Sequence, residues 1–327
     1  MLKKFLLVIL FFASFSTSFA QIDLDTDNNT DYKDALQFFK AKNYGKSLEL
    51  FKKMAKEEQP FAMYQVGYMY ERGLGVSANE KTAFEWYLKA ANAGDAAGQF
   101  SLANAYFKGV AVTKNNETGF GWMTKAAEQG DATAQYQLGQ LYTNGLGTPK
   151  DPVKGFFWVR KSAFGGIAAA QFDMGIHYEY GIMVPKDDAQ ARLWYSKSAQ
   201  QGYVKSQTNL ASLLFRTKKS ASDENVQEAF YWYEKAASKN DLIAMTNLAD
   251  LLLVPNKDDA QNKQAFALYE KAAQLGDAKG QFSVAYMYEN GIGVAQNLTL
   301  SNEWMLKAAK NGNELAKKHL EKNKASN

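Results

Sequence analysis

The sequence predicts an all-α fold, a solenoid built from antiparallel helix pairs. Three observations predict it. First, all six tryptophans stand at one register, Trp86, Trp122, Trp158, Trp194, Trp232 and Trp304, with Leu268 filling the remaining copy, and the steps between copies are 36, 36, 36, 38, 36 and 36 residues. Second, apolar residues inside each copy recur three and four positions apart, the period of a helix with one buried face. Third, a glycine or asparagine stops one helix, and in five of seven copies an aspartate or asparagine follows at once, as in Gly94-Asp95 and Gly130-Asp131. A fixed period of this length marks stacked supersecondary units rather than one thick globular core.

Residues 1–20 read as a cleavable signal peptide. Lys3 and Lys4 precede an apolar run from Phe5 to Ala13, and Ser18 and Ala20 are small residues at the −3 and −1 positions before Gln21. The run is too short to span a bilayer. The expectation is an exported protein, periplasmic first and secreted second, with no transmembrane segment. The chain has no cysteine, so no disulfide, thiolate nucleophile or lipid-accepting thiol enters the reading. Of the net charge of +4, two units lie in the leader. The remainder is too weak to argue for nucleic acid or an anionic membrane.

Residues 21–30 are an acidic linker. Asp23, Asp25, Asp27, Asn29, Asp31 and Asp34 have calcium-loop spacing, but Asn28 replaces the turn glycine and Asp34 is shorter than the usual bidentate glutamate. The linker reads as solvated, its last aspartate capping the first helix. Residues 31–59 form a degenerate pair, with helices expected at 32–41 and 45–58, rich in lysine and suited to cap a solenoid.

Residues 60–312 carry seven full units. Helix A is expected at 61–72, 97–108, 133–144 and 169–180 and at the equivalent places beyond. Small residues recur on it at Ala62, Gly98, Ala134, Ala170, Ser206, Ala244 and Gly280, and again at Gly67, Ala103, Gly139, Gly175, Ala211, Ala249 and Ala285. They allow close helix approach, which gives the mid-helix glycines a packing role despite their cost of about 1 kcal/mol against alanine. Tyr70, Tyr106, Tyr142, Tyr178 and Tyr288 read as core. Helix A ends at Gly73, Gly109, Gly145, Gly181 or Gly291, residues suited to a left-handed cap. Gly73-Leu74-Gly75-Val76 is a turn, not a phosphate loop, because no strand precedes it. Thr217 and Pro255 break the pattern, and the loop 217–225 holds the two extra residues. Helix B, expected at 81–93 in the first copy, carries the tryptophan and, three residues on, a lysine placed to complement the helix dipole. Residues 313–327 are a terminal cap, with a short helix at 314–321 and a frayed end from Lys322.

These residues resemble Sel1-like repeats, relatives of the tetratricopeptide repeats. The two halves show best at 136–147 and 83–96, and the resemblance covers about 60–313. It implies a right-handed superhelix and a role as adaptor or scaffold. Some members carry paired cysteines and a β-lactamase-like activity; without cysteine, that part does not transfer.

No catalytic constellation emerges, and no cofactor is implied. The two histidines, His177 and His319, lie far apart in sequence. His177 stands where other copies are apolar, and a neighbour such as Asp173 is expected to satisfy it. The binding expectation rests on helix-A positions that vary while the core repeats. One stripe is Tyr68, Asn104, Gln140, Ile176, Ser212, Asp250 and Tyr286; the other, one turn earlier, is Gln65, Ser101, Gln137, Asp173, Asn209, Asn247 and Ser283. In repeats of this type helix A lines the concave groove. The expected function is a non-enzymatic scaffold binding a protein or peptide there. A cell-wall or capsular polysaccharide binder is the alternative, and a hydrolase comes third.

Overall fold

The computed structural model describes residues 30–218, 224–253 and 259–325. The leader, the linker up to residue 29, most of the 217–225 insertion and Pro255 lie outside them. The described residues form seventeen α-helices and no strand. They divide into two compact units, through Gly165 and from Gly166.

The first unit contains α1 (Thr30–Lys40), α2 (Tyr44–Lys56), α3 (Pro60–Arg72), α4 (Glu80–Asn92), α5 (Ala96–Lys108), α6 (Asn116–Glu128), α7 (Ala132–Asn144) and α8 (Pro152–Phe164). The second contains α9 (Ala168–Tyr180), α10 (Asp188–Gln200), α11 (Val204–Thr217), α12 (Glu224–Ala237), α13 (Leu242–Leu252), α14 (Asp259–Gln274), α15 (Ala278–Asn290), α16 (Leu298–Lys310) and α17 (Glu314–Ala325). Within each unit every helix packs on the next, so the fold is the expected solenoid of antiparallel pairs. The terminal helix corrects one expectation. It runs to Ala325, four residues beyond the short helix expected at 314–321, across a stretch with neither glycine nor proline.

The joints explain why the helices start and stop where they do. Asp95 accepts a hydrogen bond from the Gly98 N–H at 2.6 Å, Asp131 from Ala134 at 2.6 Å, Asp241 from Ala244 at 2.8 Å and Asp277 from Gly280 at 2.6 Å. Each satisfies an amide that the helix cannot bond internally. The preceding residue takes positive φ, as at Gly94 (91°) and Gly130 (94°), and Asn240 does the same at 62°. A second set of caps opens the B helices. Asn79, Asn115, Asp151, Asp187 and Asn297 each accept from a first-turn amide. The first four are 36 residues apart, a regularity the sequence reading did not use.

Packing clusters bridge consecutive helix pairs. One joins Met123, Ala126 and Ala127 of α6 to Leu138 and Leu141 of α7, with Trp158 of α8 against them. The small helix-A residues lie at the closest approaches. A Cβ on Gly67 would come within 2.8 Å of the Tyr87 ring, and one on Gly175 would overlap the ring of fully buried Tyr195. A buried glutamine column was not foreseen. The amides of Gln99, Gln135, Gln207 and Gln281 donate to the carbonyls of Ala91, Ala127, Ala199 and Ala273 at 3.1–3.3 Å. Each ties helix A to the end of the preceding helix B, as a second donor to a carbonyl that also accepts the N–H of the glycine at the joint.

The tryptophan–lysine pair has a further role. The ammonium groups of Lys89, Lys125, Lys161, Lys197 and Lys307 lie 4.0–4.8 Å from the ring centroids of Trp86, Trp122, Trp158, Trp194 and Trp304. Three residues along a helix bring side chains together on one face, and a cation over an indole face gains from its quadrupole. Tyr70, Tyr106, Tyr142, Tyr178 and Tyr288 are half-buried rather than fully enclosed. Tyr106, Tyr142 and Tyr288 pack edge-on against Phe84, Phe120 and Phe266 at 5.2–5.9 Å.

Candidate functional site

The helix-A stripes sit between the buried columns of each unit, because positions one turn apart share a face and alternate with the core positions. Gln65 and Tyr68 lie on α3, Ser101 and Asn104 on α5, and Gln137 and Gln140 on α7. In the second unit Asp173 and Ile176 lie on α9, Asn209 and Ser212 on α11, Asn247 and Asp250 on α13, and Ser283 and Tyr286 on α15. Asp250 and Tyr286 are exposed; the other twelve are half-buried. Ile176 packs against the buried cluster of the second unit.

In the first unit the structure brings Tyr68, Ser101 and Asn104 into one cleft with Tyr64, Glu71, Arg72, Phe84, Tyr87 and Phe100. Gln65, Gln137 and Gln140 are not among its lining residues. The Tyr64 ring stacks on Tyr87 at 5.8 Å and lies 6.4 Å from Tyr68, whose ring has the Arg72 guanidinium 5.8 Å from its centroid. The Tyr87 hydroxyl donates to Glu71 at 2.7 Å. Burial pushes the Tyr64 and Tyr87 phenols well above their usual range, with nearby carboxylates adding to the shift. The cleft combines aromatic walls with an amide, a guanidinium and a carboxylate at the rim. That arrangement can seat an apolar side chain and hydrogen-bond the backbone on either side of it.

The second unit places phenols differently. The Tyr195 hydroxyl donates to Glu179 at 2.7 Å and accepts from the Asn209 amide at 3.3 Å. Arg216 donates to the other Glu179 oxygen at 2.9 Å, so this carboxylate, only 7% exposed, is paired on both sides. The Tyr233 hydroxyl lies 2.9 Å from Ser212 and accepts from Asn247 at 3.2 Å. Tyr269 donates to Asp250, and the Lys279 ammonium lies 2.5 Å from the same carboxylate and 3.3 Å from the Asn247 side-chain oxygen. Burial raises all three phenols. For Tyr195 and Tyr269 the carboxylate each bonds adds to the effect.

Sequence reasoning missed these phenols. They occupy the position after the tryptophan, or after Leu268 in its copy, held by Tyr87, Met123, Val159, Tyr195, Tyr233, Tyr269 and Met305. The mix of tyrosine with methionine and valine was the available signal: a polar tip at a buried position needs a partner on the facing helix.

His177 is half-buried, and its Nδ1 lies 2.8 Å from the Ile182 carbonyl oxygen in the following turn. That carbonyl is one partner that satisfies the ring, brought within reach because the turn folds back over the helix end. Burial lowers the His177 pKa, partly offset by that bond. Among the described residues no group of three or more histidine, aspartate or glutamate side chains could hold a metal ion. No helix among them is long and apolar enough to cross a membrane.

Comparison with known proteins places this geometry among relatives. The Sel1 repeat model matches residues 33–58, 60–95, 96–131, 132–163, 168–203, 204–241, 242–277 and 278–313. The first match covers the degenerate opening pair. A Sel1 repeat protein from Oxalobacter formigenes is 29% identical, with a TM-score of 0.59 over 86% of this chain and 97% of its own. A protective antigen of uropathogenic Escherichia coli with the same type of fold is 28% identical, with a TM-score of 0.58 over 85% of this chain and 68% of its own. Chitin synthase regulatory factor 3 of Schizosaccharomyces pombe is 44% identical over 59 residues, which are 18% of this chain and 6% of that protein.

Proposed function

We propose that this chain, which belongs to the Sel1 repeat family, is an exported, non-enzymatic scaffold that binds a protein or peptide segment along its helix-A face. Sel1 repeat proteins generally mediate protein–protein interaction, and repeat folds present extended binding surfaces. The observation that carries the reading is the first-unit cleft, where Tyr64, Tyr68 and Tyr87 surround a space rimmed by Asn104, Glu71 and Arg72. Rigid aromatic side chains with polar groups at their edges supply large contact area at low ordering cost, the composition of peptide-recognition surfaces. Export is supported by the basic, apolar and small-residue succession of residues 1–20. Amino-terminal sequencing of the mature protein should begin at Gln21.

The test is selection from a random peptide library on the full chain, followed by affinity measurement on Tyr68→Ala and Asn104→Ala. The reading expects selected peptides to share an apolar anchor and each variant to bind roughly tenfold or more weakly, the usual loss at an interface anchor. Peptides insensitive to both substitutions would place binding elsewhere. A polysaccharide ligand is the second reading, favoured by Tyr286, half-exposed beside polar Ser283. Saturable binding of purified cell-wall glycan, lost in Tyr286→Ala, would support it.

A further inference from the structure

The outer face of α8 departs from the other B helices of the first unit. Val153 is 68% exposed, Phe157 50% and Phe164 66%. The equivalent residues are Lys81 and Glu117, Glu85 and Gly121, and Asn92 and Glu128. Three positions that hold charged, polar or small residues in α4 and α6 are thus apolar together on one helix, whereas in the second unit only the Phe157 position carries a large exposed apolar residue, Leu193 on α10 and Tyr231 on α12. Positions 153, 157, 160, 161 and 164 fall on a single helical face. Lys154, Arg160 and Lys161 are exposed there, and α8 contains no aspartate or glutamate. Lys154 shares its charge with the capping Asp151 at 3.4 Å. The Lys161 ammonium lies 4.9 Å from the Phe157 ring centroid, and the Arg160 guanidinium 5.8 Å from that of Phe164. The near-neutral charge of the whole chain conceals this local concentration, because α6 carries Glu117 and Glu128 at two of the equivalent positions.

We propose that this face of α8 docks on the surface of a lipid bilayer carrying anionic headgroups. Aromatic and apolar side chains beside lysine and arginine, on a helix too short to span, form the pattern of a helix that lies in the interface plane. Charge complementarity selects the occupant. Cations of one sign, clustered around rings, match a surface of repeated anionic headgroups, and the attraction falls off within a Debye length. Area points the same way. The exposed apolar surface is of order 300 Å², taking about 200 Å² for a whole aromatic side chain. A stable protein interface buries roughly 800 Å² per partner, of which about 450 Å² is apolar, so this face falls short of one. A bilayer needs only shallow insertion of a few side chains. The docking leaves the helix-A face of the same unit free, since α8 presents its outer surface.

The test is co-sedimentation of the full chain with vesicles of phosphatidylcholine alone and of equimolar phosphatidylcholine and phosphatidylglycerol. The expected result is binding to the mixed vesicles only, weakened by added salt. Phe157→Ser with Val153→Thr, and separately Arg160→Gln with Lys161→Gln, should each reduce it about tenfold or more. Leu306→Ser, on the exposed side of α16, should leave it unchanged. All these side chains are exposed, so the variants should melt close to the parent, with only the small loss of the Lys161–Trp158 contact in the Arg160→Gln with Lys161→Gln variant, and two variants of different chemistry guard against one that fails to fold. No binding to mixed vesicles, equal binding to neutral ones, or binding indifferent to both α8 variants overturns the proposal. A face that ignores vesicles while Phe157→Ser abolishes capture of an acidic protein would belong to a protein contact instead, which also overturns it.

Discussion

The two units treat one position of the repeat differently. After the tryptophan of helix B, or after Leu268 in its copy, the first unit has Tyr87, Met123 and Val159, and the second has Tyr195, Tyr233, Tyr269 and Met305. In the first, the single phenol bonds Glu71 and its ring helps wall a cleft with Tyr64 and Tyr68. In the second, three successive phenols bond Glu179 and Asn209, then Ser212 and Asn247, then Asp250. The same backbone therefore yields an aromatic cleft in one unit and a hydrogen-bonded polar face in the other. A repeat scaffold fixes where a side chain stands; the choice at one core-edge position decides whether the neighbouring face is open to a ligand or tied to the core.

That contrast can be broken in several ways. The largest effect is expected at alkaline pH. Folding raises the phenol pKa values above the ordinary 10.0, so their contribution to stability is intact below that value and is lost as pH rises past it. Between about 10 and its raised folded-state value, each phenol should cost up to about 1.4 kcal/mol per pH unit. Melting temperatures between neutral and strongly alkaline pH should fall steeply. The variant with Tyr195→Phe, Tyr233→Phe and Tyr269→Phe removes three raised phenols and Tyr64→Phe with Tyr87→Phe removes two, so the first should flatten the fall more. Equal slopes would remove the distinction between the units.

Next in size is Gly175→Ala. Its new methyl meets the buried Tyr195 ring, so denaturant melts should show a loss of about 1–3 kcal/mol. Gly121→Ala in the first unit has nothing within 4 Å of the added Cβ and should gain up to about 1 kcal/mol instead. A smaller loss, about 1 kcal/mol, is expected for Tyr233→Phe, which removes the hydroxyl shared by Ser212 and Asn247 while each keeps another bond. The smallest is Lys125→Gln, which removes a cation 4.0 Å from the Trp122 centroid and should cost about 0.5 kcal/mol. Lys271→Gln, whose copy has Leu268 in place of tryptophan, is its control and should fall below that.

Most of the architecture was legible because its signals are local and repeated. Gly73, Gly94 and Asp95 mark helix ends by backbone conformation and capping chemistry, which do not depend on distant parts of the chain. The small residues at Gly67 and Gly175 announced close packing, though not that the facing group would be a tyrosine ring. The candidate face was legible as a stripe but not as a surface. Asn209, Asn247 and Asp250 look like solvated polar positions until the facing helix is in place, and only then do their phenol partners come within reach. Tyr64 was missed because it lies off both variable stripes, and its place in the cleft comes from the next repeat pair. The tryptophan–lysine pairing was visible as a spacing, yet its geometry depends on the rotamer the lysine adopts over the ring.

The most direct test of the account is site-specific photo-crosslinking in living cells that make the protein. Probes at Tyr68, Ile176 and Asp250 sample the helix-A face in both units, and probes at Glu85, Glu117 and Glu303 sample exposed positions of the B helices. The account predicts a discrete protein adduct from the helix-A probes alone, strongest at Tyr68 beside the open cleft. The same adducts from both sets, or from the helix-B probes only, would contradict it.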